Sequence, residues 1–391
     1  MLRLENSAAP PPVTTSIAGR RSTDHSSGSP VARLRIIGGV IRRLRGGLAH
    51  VYARLDGRFA RWAGRSTFAS RIYYGVWNDA FGREQQAVLC GRHQYSRDVQ
   101  NPLTTSALLR RNCHRLEKGL LMRPRRDVFA AEYIEETVDV YCAQVGARPS
   151  SEASPSAELQ WAYDVLSGYF QVAGPHPRIT TARTHFEMAA RIHSCSSGAM
   201  IPYRRDLSAP PSVRLEDLAV LAKRRRSVRW FLQRPVPREM IDAAVEVAAQ
   251  SPSACNRQPF QFRIFDHPEL VQEVAALPMG TAGYAHNIPV IVVIVGQQRN
   301  YFDERDRHLI YIDGSLAAMG FVYALEAQGL SSCCINWPDV EERESALAKL
   351  LKLWPDERAV MCLAVGYPDP DGLVAYSQKK PLEQLRRYNF E

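Results

Sequence analysis

"RHLIYIDGSLAAMGFVYALEAQGLSSCCINW" (residues 307–337) decides the fold. Up to Gly329 it is apolar on nearly every side of a helix, a pattern that water does not tolerate, so the spacing predicts a helix buried in the core or at a subunit contact. Gly329 supplies the stop, and "SSCCINW" (331–337) then reads as a strand whose neighbouring side chains point to opposite faces. Upstream, "IPVIVVIVG" (288–296) reads as a second buried strand, too short to cross a bilayer, and residues 260–265 as a third. Downstream come a helix in "PDVEERESALAKLLKL" (338–353) and a strand in "AVMCLAVGYP" (359–368). Before them the spacing predicts helices over 214–223 and 237–250, with Pro237 in the first turn, and a helix over 267–276 capped by Asp266. Helices and strands interleave, so the fold class is α+β, a central sheet sandwiched by helices.

The chain has 391 residues, enough for more than one folded part. Residues 1–31 are rich in Pro and Ser and poor in large apolar side chains, which predicts disorder. Residues 31–64 mix Leu, Ile, Val, Phe and Trp with arginine at near-helical spacing, a basic amphipathic helix interrupted by Gly38-Gly39 and Gly46-Gly47. Three readings of it stay open: packing on the rest of the fold, attachment to an anionic membrane surface, or organelle targeting. Three regions result: a disordered and basic segment 1–66, a mainly helical accessory region 67–200, and the sheet-bearing region 208–391. A Ser/Pro-rich linker, "GARPSSEASPS" (146–156), divides the helical region. In it, "SALLRRNCHRLEKGLLM" (106–122) has a helical apolar pattern with Gly119 as its C-terminal stop; His114, Glu117 and Lys118 read as the charged face of a surface helix, with the lining of a pocket as the alternative.

The formal charge of +10 resides largely in the N-terminal segment, where nine arginines and one acid lie between Arg33 and Arg65. Neither zinc-finger spacing nor an RNA-stacking aromatic motif accompanies it, so nucleic acid is not the expected partner. The eight cysteines contain no C-x-x-C pair, which argues for free thiols and against a metal site or a disulfide framework. Cys333 and Cys334 read as small buried hydrophobes. No secretory signal or spanning helix is expected, and the expected location is cytoplasmic with peripheral membrane contact through the basic segment as an option.

Two stretches carry the chemistry. "SPSACNRQPFQF" (251–262) leaves an apolar helix, places Ser253, Asn256 and Gln258 between Pro252 and Pro259, and then begins a strand. A stiff polar loop on rigid elements is where a ligand is held. Cys255 within it has no neighbouring histidine motif and is not read as a nucleophile. "KRRRSVRWF" (223–231) gathers Arg224, Arg225, Arg226, Ser227 and Arg229 at a helix-to-loop transition, a set able to hold a phosphate through bidentate, charge-assisted bonds, or else a solvated basic turn or a nucleic-acid patch. "SQKKP" (377–381) returns a second basic element near the C-terminus.

In their order, "RRSVRWF", "SPSACNRQPF", the apolar strand, the long buried helix ending in "GLSSCCINWPD", "AVGYP" and Lys-Lys-Pro resemble the FMN-dependent nitroreductase family over residues 214–385. The resemblance implies a homodimer with two FMN sites at the subunit interface, and an oxidoreductase that passes electrons from NADH or NADPH through FMN to a small organic acceptor by a ping-pong route. It assigns Arg225, Arg226 and Ser227 to the phosphate and ribityl chain and Arg229 to the N1/O2 edge of the ring. Pro252, Ser253, Ala254 and Asn256 would come from the other subunit, with Gln258 supporting the loop. Asn336 and Trp337 match the place facing flavin N5, where many relatives have glycine instead of Trp337; the indole covers the ring or points into the core. Lys379 and Lys380 match a basic pair near the phosphate. No acid, base or nucleophile stands out, as expected where a cofactor carries the chemistry. Two alternatives accompany this reading: a relative that uses FMN for another purpose, such as reductive removal of a substituent, oxidation of a heterocycle in a modified peptide or fragmentation of the flavin itself, and a non-catalytic partner protein acting through its basic N-terminal segment.

Overall fold

A computed structural model of the chain describes residues 51, 53–101, 107–147, 156–192 and 200–390. The Pro/Ser-rich residues 1–31, residues 31–50 of the basic amphipathic stretch and most of the 146–156 linker lie outside them. The chain divides into two compact units, with the boundary between Asp79 and Ala80.

In the first unit, helix α1 spans residues 53–63 and helix α2 spans Thr67–Ile72, with the Ser66 hydroxyl accepting from the Ala69 amide at 3.1 Å. This cap satisfies one of the donors every helix start leaves free. Asp56 accepts from the Tyr73 hydroxyl (2.6 Å) and the Trp77 indole (3.0 Å), while Phe59 packs edge-on against both rings.

The second unit begins with helices α3 (Gly82–Gln100), α4 (Ala107–Leu121), α5 (Ile134–Gly146), α6 (Ala157–Val172) and α7 (Pro177–Ile192). Their shared core contains Leu109, Cys113, Leu116, Ile134, Tyr141 and Tyr169. Full burial pushes the Cys113 thiol well above its ordinary range, so it serves as a small hydrophobe. Gly119 is not the stop expected of it. Helix α4 runs on to Leu121, and a Cβ at position 119 would stand 2.4 Å from the Phe129 ring. The glycine is there for a close approach, which a helix pattern read along one chain does not reveal.

The remaining elements build the sheet and its covers: α8 (Leu215–Arg224), α9 (Arg238–Ala249), β1 (Phe260–Phe265), α10 (Pro268–Ala275), β2 (Val290–Gln297), α11 (Leu309–Ala327), β3 (Ser331–Asn336), α12 (Glu341–Leu351), β4 (Glu357–Gly366) and a short α13 (Leu382–Leu385). The strands stand in the order β1-β2-β4-β3 and every pair is antiparallel. Alternation along β2 assigns both faces. Val290, Val292 and Ile294 join a core with α9 and α11, whereas Ile291, Val293 and Val295 join one with α10 and α12. Each such side chain contributes about 1.5–3 kcal/mol on burial, so the continuous apolar run is the signature of a strand covered on both sides. This is the expected α+β sandwich.

Two local expectations are corrected. Asp266 does not cap α10: the cap is His267, and the Asp266 carboxylate accepts two bonds from Arg238 at 2.6 and 3.0 Å. A neighbouring guanidinium outcompetes a local cap because the bond is bidentate and charge-assisted. Cys333 is buried as expected, but Cys334 is exposed on the open face of β3.

Helix α11 is long and apolar enough to cross a membrane, but half of that span is buried inside the fold. Its inner face carries Ala317, Phe321 and Leu325. Its outer face exposes Ile312 (51%), Leu316 (45%) and Met319 (38%), a stripe at i, i+4 and i+7. Gly329 adopts φ +81° beyond the helix end, as the sequence predicts for a stop.

Candidate functional site

The arginine segment leaves α8 and lies along the sheet. Ser227 bridges Ser332 of β3 in parallel, the Val228 amide donates to the Ser332 carbonyl at 3.1 Å, and Leu232 donates to the Tyr367 carbonyl at 2.9 Å. The three consecutive arginines have different surroundings. Arg224 is bound to the buried Glu326 carboxylate at 2.9 Å. Arg225 and Arg226 are half-buried, and neither makes an ion pair among the described residues. A half-buried guanidinium without a carboxylate keeps its fork of donors free for an anion. Arg229 is exposed, with its guanidinium 5.8 Å from the Tyr284 ring centroid.

Asn336 ends β3 on its exposed face, beside Cys334 and on the strand that Ser227 joins. Trp337 lies elsewhere. It is 6% exposed, packs in the core with α10 and α12, and its indole donates to Glu344. Of the two orientations open to it in the sequence, the structure selects the inward one, since a buried indole needs an acceptor and Glu344 supplies it. Lys379 and Lys380 stand in an exposed tail and form no ion pair among the described residues. The structure does not bring them to the arginine segment through any bond.

The 251–258 loop is held from several directions. The Ala254 amide donates to Asp313 of α11 at 2.9 Å, and the Ser251 hydroxyl donates to the Leu316 carbonyl at 3.3 Å. Asp313 also accepts from the Tyr301 hydroxyl at 3.0 Å. Burial raises the Asp313 carboxyl above its ordinary value, and these two donors partly offset that. Gln258 spans the loop: its amide donates to the Ser253 hydroxyl (3.1 Å) and its side chain to the Ala249 carbonyl (3.1 Å). Cys255, Asn256 and Gln258 all have positive φ, between 49° and 54°. Pro252 is exposed and Ser253, Ala254 and Asn256 are partly so.

Reasoning from sequence missed Arg110 in α4. Its Nε donates to the Asn256 carbonyl at 2.9 Å and a terminal nitrogen donates to the Gln258 side-chain oxygen at 3.1 Å. The charged residues next to it are also not a free surface. Glu117 accepts from Trp161 at 3.0 Å and meets His114 at 3.2 Å, whereas Lys118 is exposed. No local motif announces a clamp whose partners are 146 and 148 positions away.

The two halves of the expected site stand at opposite ends of α11. The loop is anchored at Asp313 and the arginine segment at Glu326, so at 1.5 Å rise per residue they are roughly 20 Å apart along the helix. Among the described residues no hydrogen bond or ion pair joins residues 225–229 to residues 252–256.

Residues 222–282 and 271–367 match the sequence model of the Nitroreductase family, which places a nitroreductase-family domain in the C-terminal half of the chain. Among curated proteins, iodotyrosine deiodinase 1 of Pongo abelii is 24% identical over 193 residues, covering 42% of this chain and 66% of that protein. Iodotyrosine deiodinase of Nematostella vectensis is 26% identical over 191 residues, covering 42% and 71%. A putative NADH dehydrogenase/NAD(P)H nitroreductase of Methanothermobacter thermautotrophicus is 24% identical over 153 residues, covering 39% and 78%. The chain thus spans about two thirds of the length of the first of these relatives. Among solved structures, an FMN-dependent nitroreductase from Clostridium difficile R20291 superposes with a TM-score of 0.38 at 20% identity, covering 44% of this chain and 98% of its own. A nitroreductase family protein from Streptococcus pneumoniae TIGR4 gives 0.38 at 22%, covering 44% and 100%.

Proposed function

We propose that the protein is a flavin-dependent oxidoreductase of the nitroreductase type, in which two copies of the chain enclose FMN between them and electrons pass from NADH or NADPH to a small organic acceptor by a ping-pong route. The observation that carries this reading is the separation of the two site halves along α11. One chain offers the arginine segment at one end and the loop at the other, so a second copy in antiparallel contact along α11 supplies to each arginine segment the loop that its own chain holds away. The exposed stripe of Ile312, Leu316 and Met319 is the apolar surface such a contact covers.

The residues present fit the cofactor. Arg225 and Arg226, half-buried and without carboxylate partners among the described residues, offer charge-assisted donors to a phosphate, with Ser227 beside them. Arg229, exposed and without an ion pair among the described residues, brings a cation to the edge of the ring that gains negative charge. Asn336 is exposed on the strand that carries this segment. Trp337 is turned inward and stabilises the core, so the acceptor side is not closed by its indole. FMN, when bound, supplies the hydride chemistry; the chain binds it, orients it and excludes water.

A second reading is favoured by the relatives named iodotyrosine deiodinase: the reaction is reductive removal of a substituent from an aromatic acceptor. Anaerobic mixing of the FMN-loaded protein with NADH, NADPH or dithionite, each followed by an acceptor, separates the readings. Bleaching of the flavin band by a nicotinamide and its return with a nitroaromatic supports the first. Bleaching by dithionite alone, with return on addition of a halotyrosine, supports the second. A folded protein that takes up no FMN ends both.

A further inference from the structure

The 253–258 loop is bent in an unusual way, and the bend is imposed from outside it. Three non-glycine residues in a span of four, Cys255, Asn256 and Gln258, hold positive φ, a conformation that L-residues avoid and that persists only where the surroundings over-determine it. On one side Asp313 fixes the Ala254 amide. On the other, Arg110 reaches from the helical region and takes the carbonyl of Asn256 and the side-chain oxygen of Gln258, two of the three strained positions, with one guanidinium. Arg110 is itself aimed: its other terminal nitrogen lies 3.5 Å from Glu158, and the Trp161 ring centroid is 5.5 Å from its central carbon. Both orienting residues belong to α6, so the helical region holds the clamp as well as supplying it.

We propose that Arg110 is a positioning residue for the flavin site: its fork sets the backbone of the loop that closes the cofactor pocket of the partner copy, which gives the helical region 82–192 a direct part in cofactor binding. The inference rests on the two-chain flavin reading above. Planarity is what the task requires, because the two acceptors are two residues apart and a lysine reaches one of them at a time.

The test compares Arg110→Ala, Arg110→Lys and Arg115→Ala with the parent full chain. Arg115 lies in the same helix, is partly buried against the Tyr133 ring at 3.6 Å and touches no loop residue in the 253–258 stretch; its loss reports damage to α4 alone. FMN affinity is read by quenching of flavin fluorescence, and backbone exchange of the 251–260 peptide by hydrogen–deuterium exchange without flavin. Loss of the two charge-assisted bonds predicts FMN binding weaker by about tenfold to a hundredfold in Arg110→Ala, a partial recovery in Arg110→Lys, parental affinity in Arg115→Ala, and faster exchange of the loop peptide only in the Arg110 variants. Parental FMN affinity in Arg110→Ala, or equal weakening in Arg110→Ala and Arg115→Ala, overturns the inference. Should the parent itself bind no FMN, the functional reading fails, and the exchange measurement still decides whether Arg110 holds the loop; unchanged exchange in both Arg110 variants overturns that too. If Arg110→Ala does not fold, Arg110→Lys carries the same comparison.

Discussion

Replacing Gly91 by alanine perturbs the contact that joins the helical region to the sheet. Gly91 lies on α3 where a Cβ would stand 2.5 Å from the Gln298 Cβ and 2.7 Å from the Gln298 carbonyl carbon. The obstacle is largely backbone, and Gln298 cannot retreat: it is buried, its amide donates to the Asp356 carbonyl at 3.0 Å and its side chain to the Arg307 carbonyl at 2.9 Å. Overpacking of this kind costs about 1–3 kcal/mol, while alanine returns up to about 1 kcal/mol of helix propensity. The net expectation is a destabilisation of about 1–2 kcal/mol, a fall in Tm of a few degrees for a unit of this size. Gly146→Ala, at the end of α5 where a Cβ meets nothing within 4 Å, is the control and leaves Tm level or slightly higher. The displacement also travels. Tyr301 donates its amide to the Gln298 carbonyl and its hydroxyl to Asp313, which holds the loop, so Gly91→Ala weakens FMN retention as well. Differential scanning calorimetry of both variants, followed by gel filtration with FMN, measures each effect. A Gly91→Ala protein as stable as Gly146→Ala refutes the steric argument.

Arg225→Ala removes the half-buried guanidinium proposed to hold the phosphate and is expected to cost about 1.5–3 kcal/mol of FMN binding, read as roughly a tenfold to hundredfold rise in Kd; Arg229→Ala is expected to keep flavin but lower its midpoint potential, and a parental potential in that variant contradicts the cation's proposed role. Trp337→Phe removes the indole's bond to the buried Glu344 carboxylate, which keeps Arg358 at 3.1 Å, and destabilises the fold by about 1–3 kcal/mol, without altering the kinetics of the flavin with bulky acceptors; a change in acceptor size preference places the indole over the ring instead. Asp313 has its carboxyl raised by burial, so its ionisation opposes folding, and that penalty grows as pH rises from the ordinary value near 4 through the raised folded value. Asp313→Asn therefore matches the parent most closely below about pH 4 and gains on it toward pH 7, measured as urea midpoints of the flavin-free proteins; a difference that does not change with pH removes Asp313 from the stability profile.

What the sequence disclosed follows from the range over which each signal acts. Strand β1 runs from Phe260 to Phe265 where the alternation predicts it, and α11 ends before Gly329, because period and stop are written within a few residues. The 251–258 loop was recognisable as a rigid polar connection from its two prolines and its amides. What it took from elsewhere was not legible: Arg110 is far away in the chain, and the anchoring Asp313 sits in a helix that reads as apolar on nearly every side. Asp266 had the residue type and spacing of a cap, yet Arg238 took its carboxylate. Trp337 could be placed only once Glu344, on the following helix, stood within reach of its indole. Local pattern thus gave the elements, and the choice among partners belonged to tertiary packing.

The most direct test of a site shared by two chains is complementation between Arg225→Ala and Asn256→Trp, one disabling the phosphate end and the other the loop. Each homodimer loses FMN. When the two are unfolded together in equal amounts and refolded, random pairing rebuilds one intact site in each mixed dimer, so FMN occupancy recovers to about a quarter of the parental value. No recovery, with mixed dimers demonstrated by mass spectrometry and the parent fully loaded, contradicts a cofactor held between two copies.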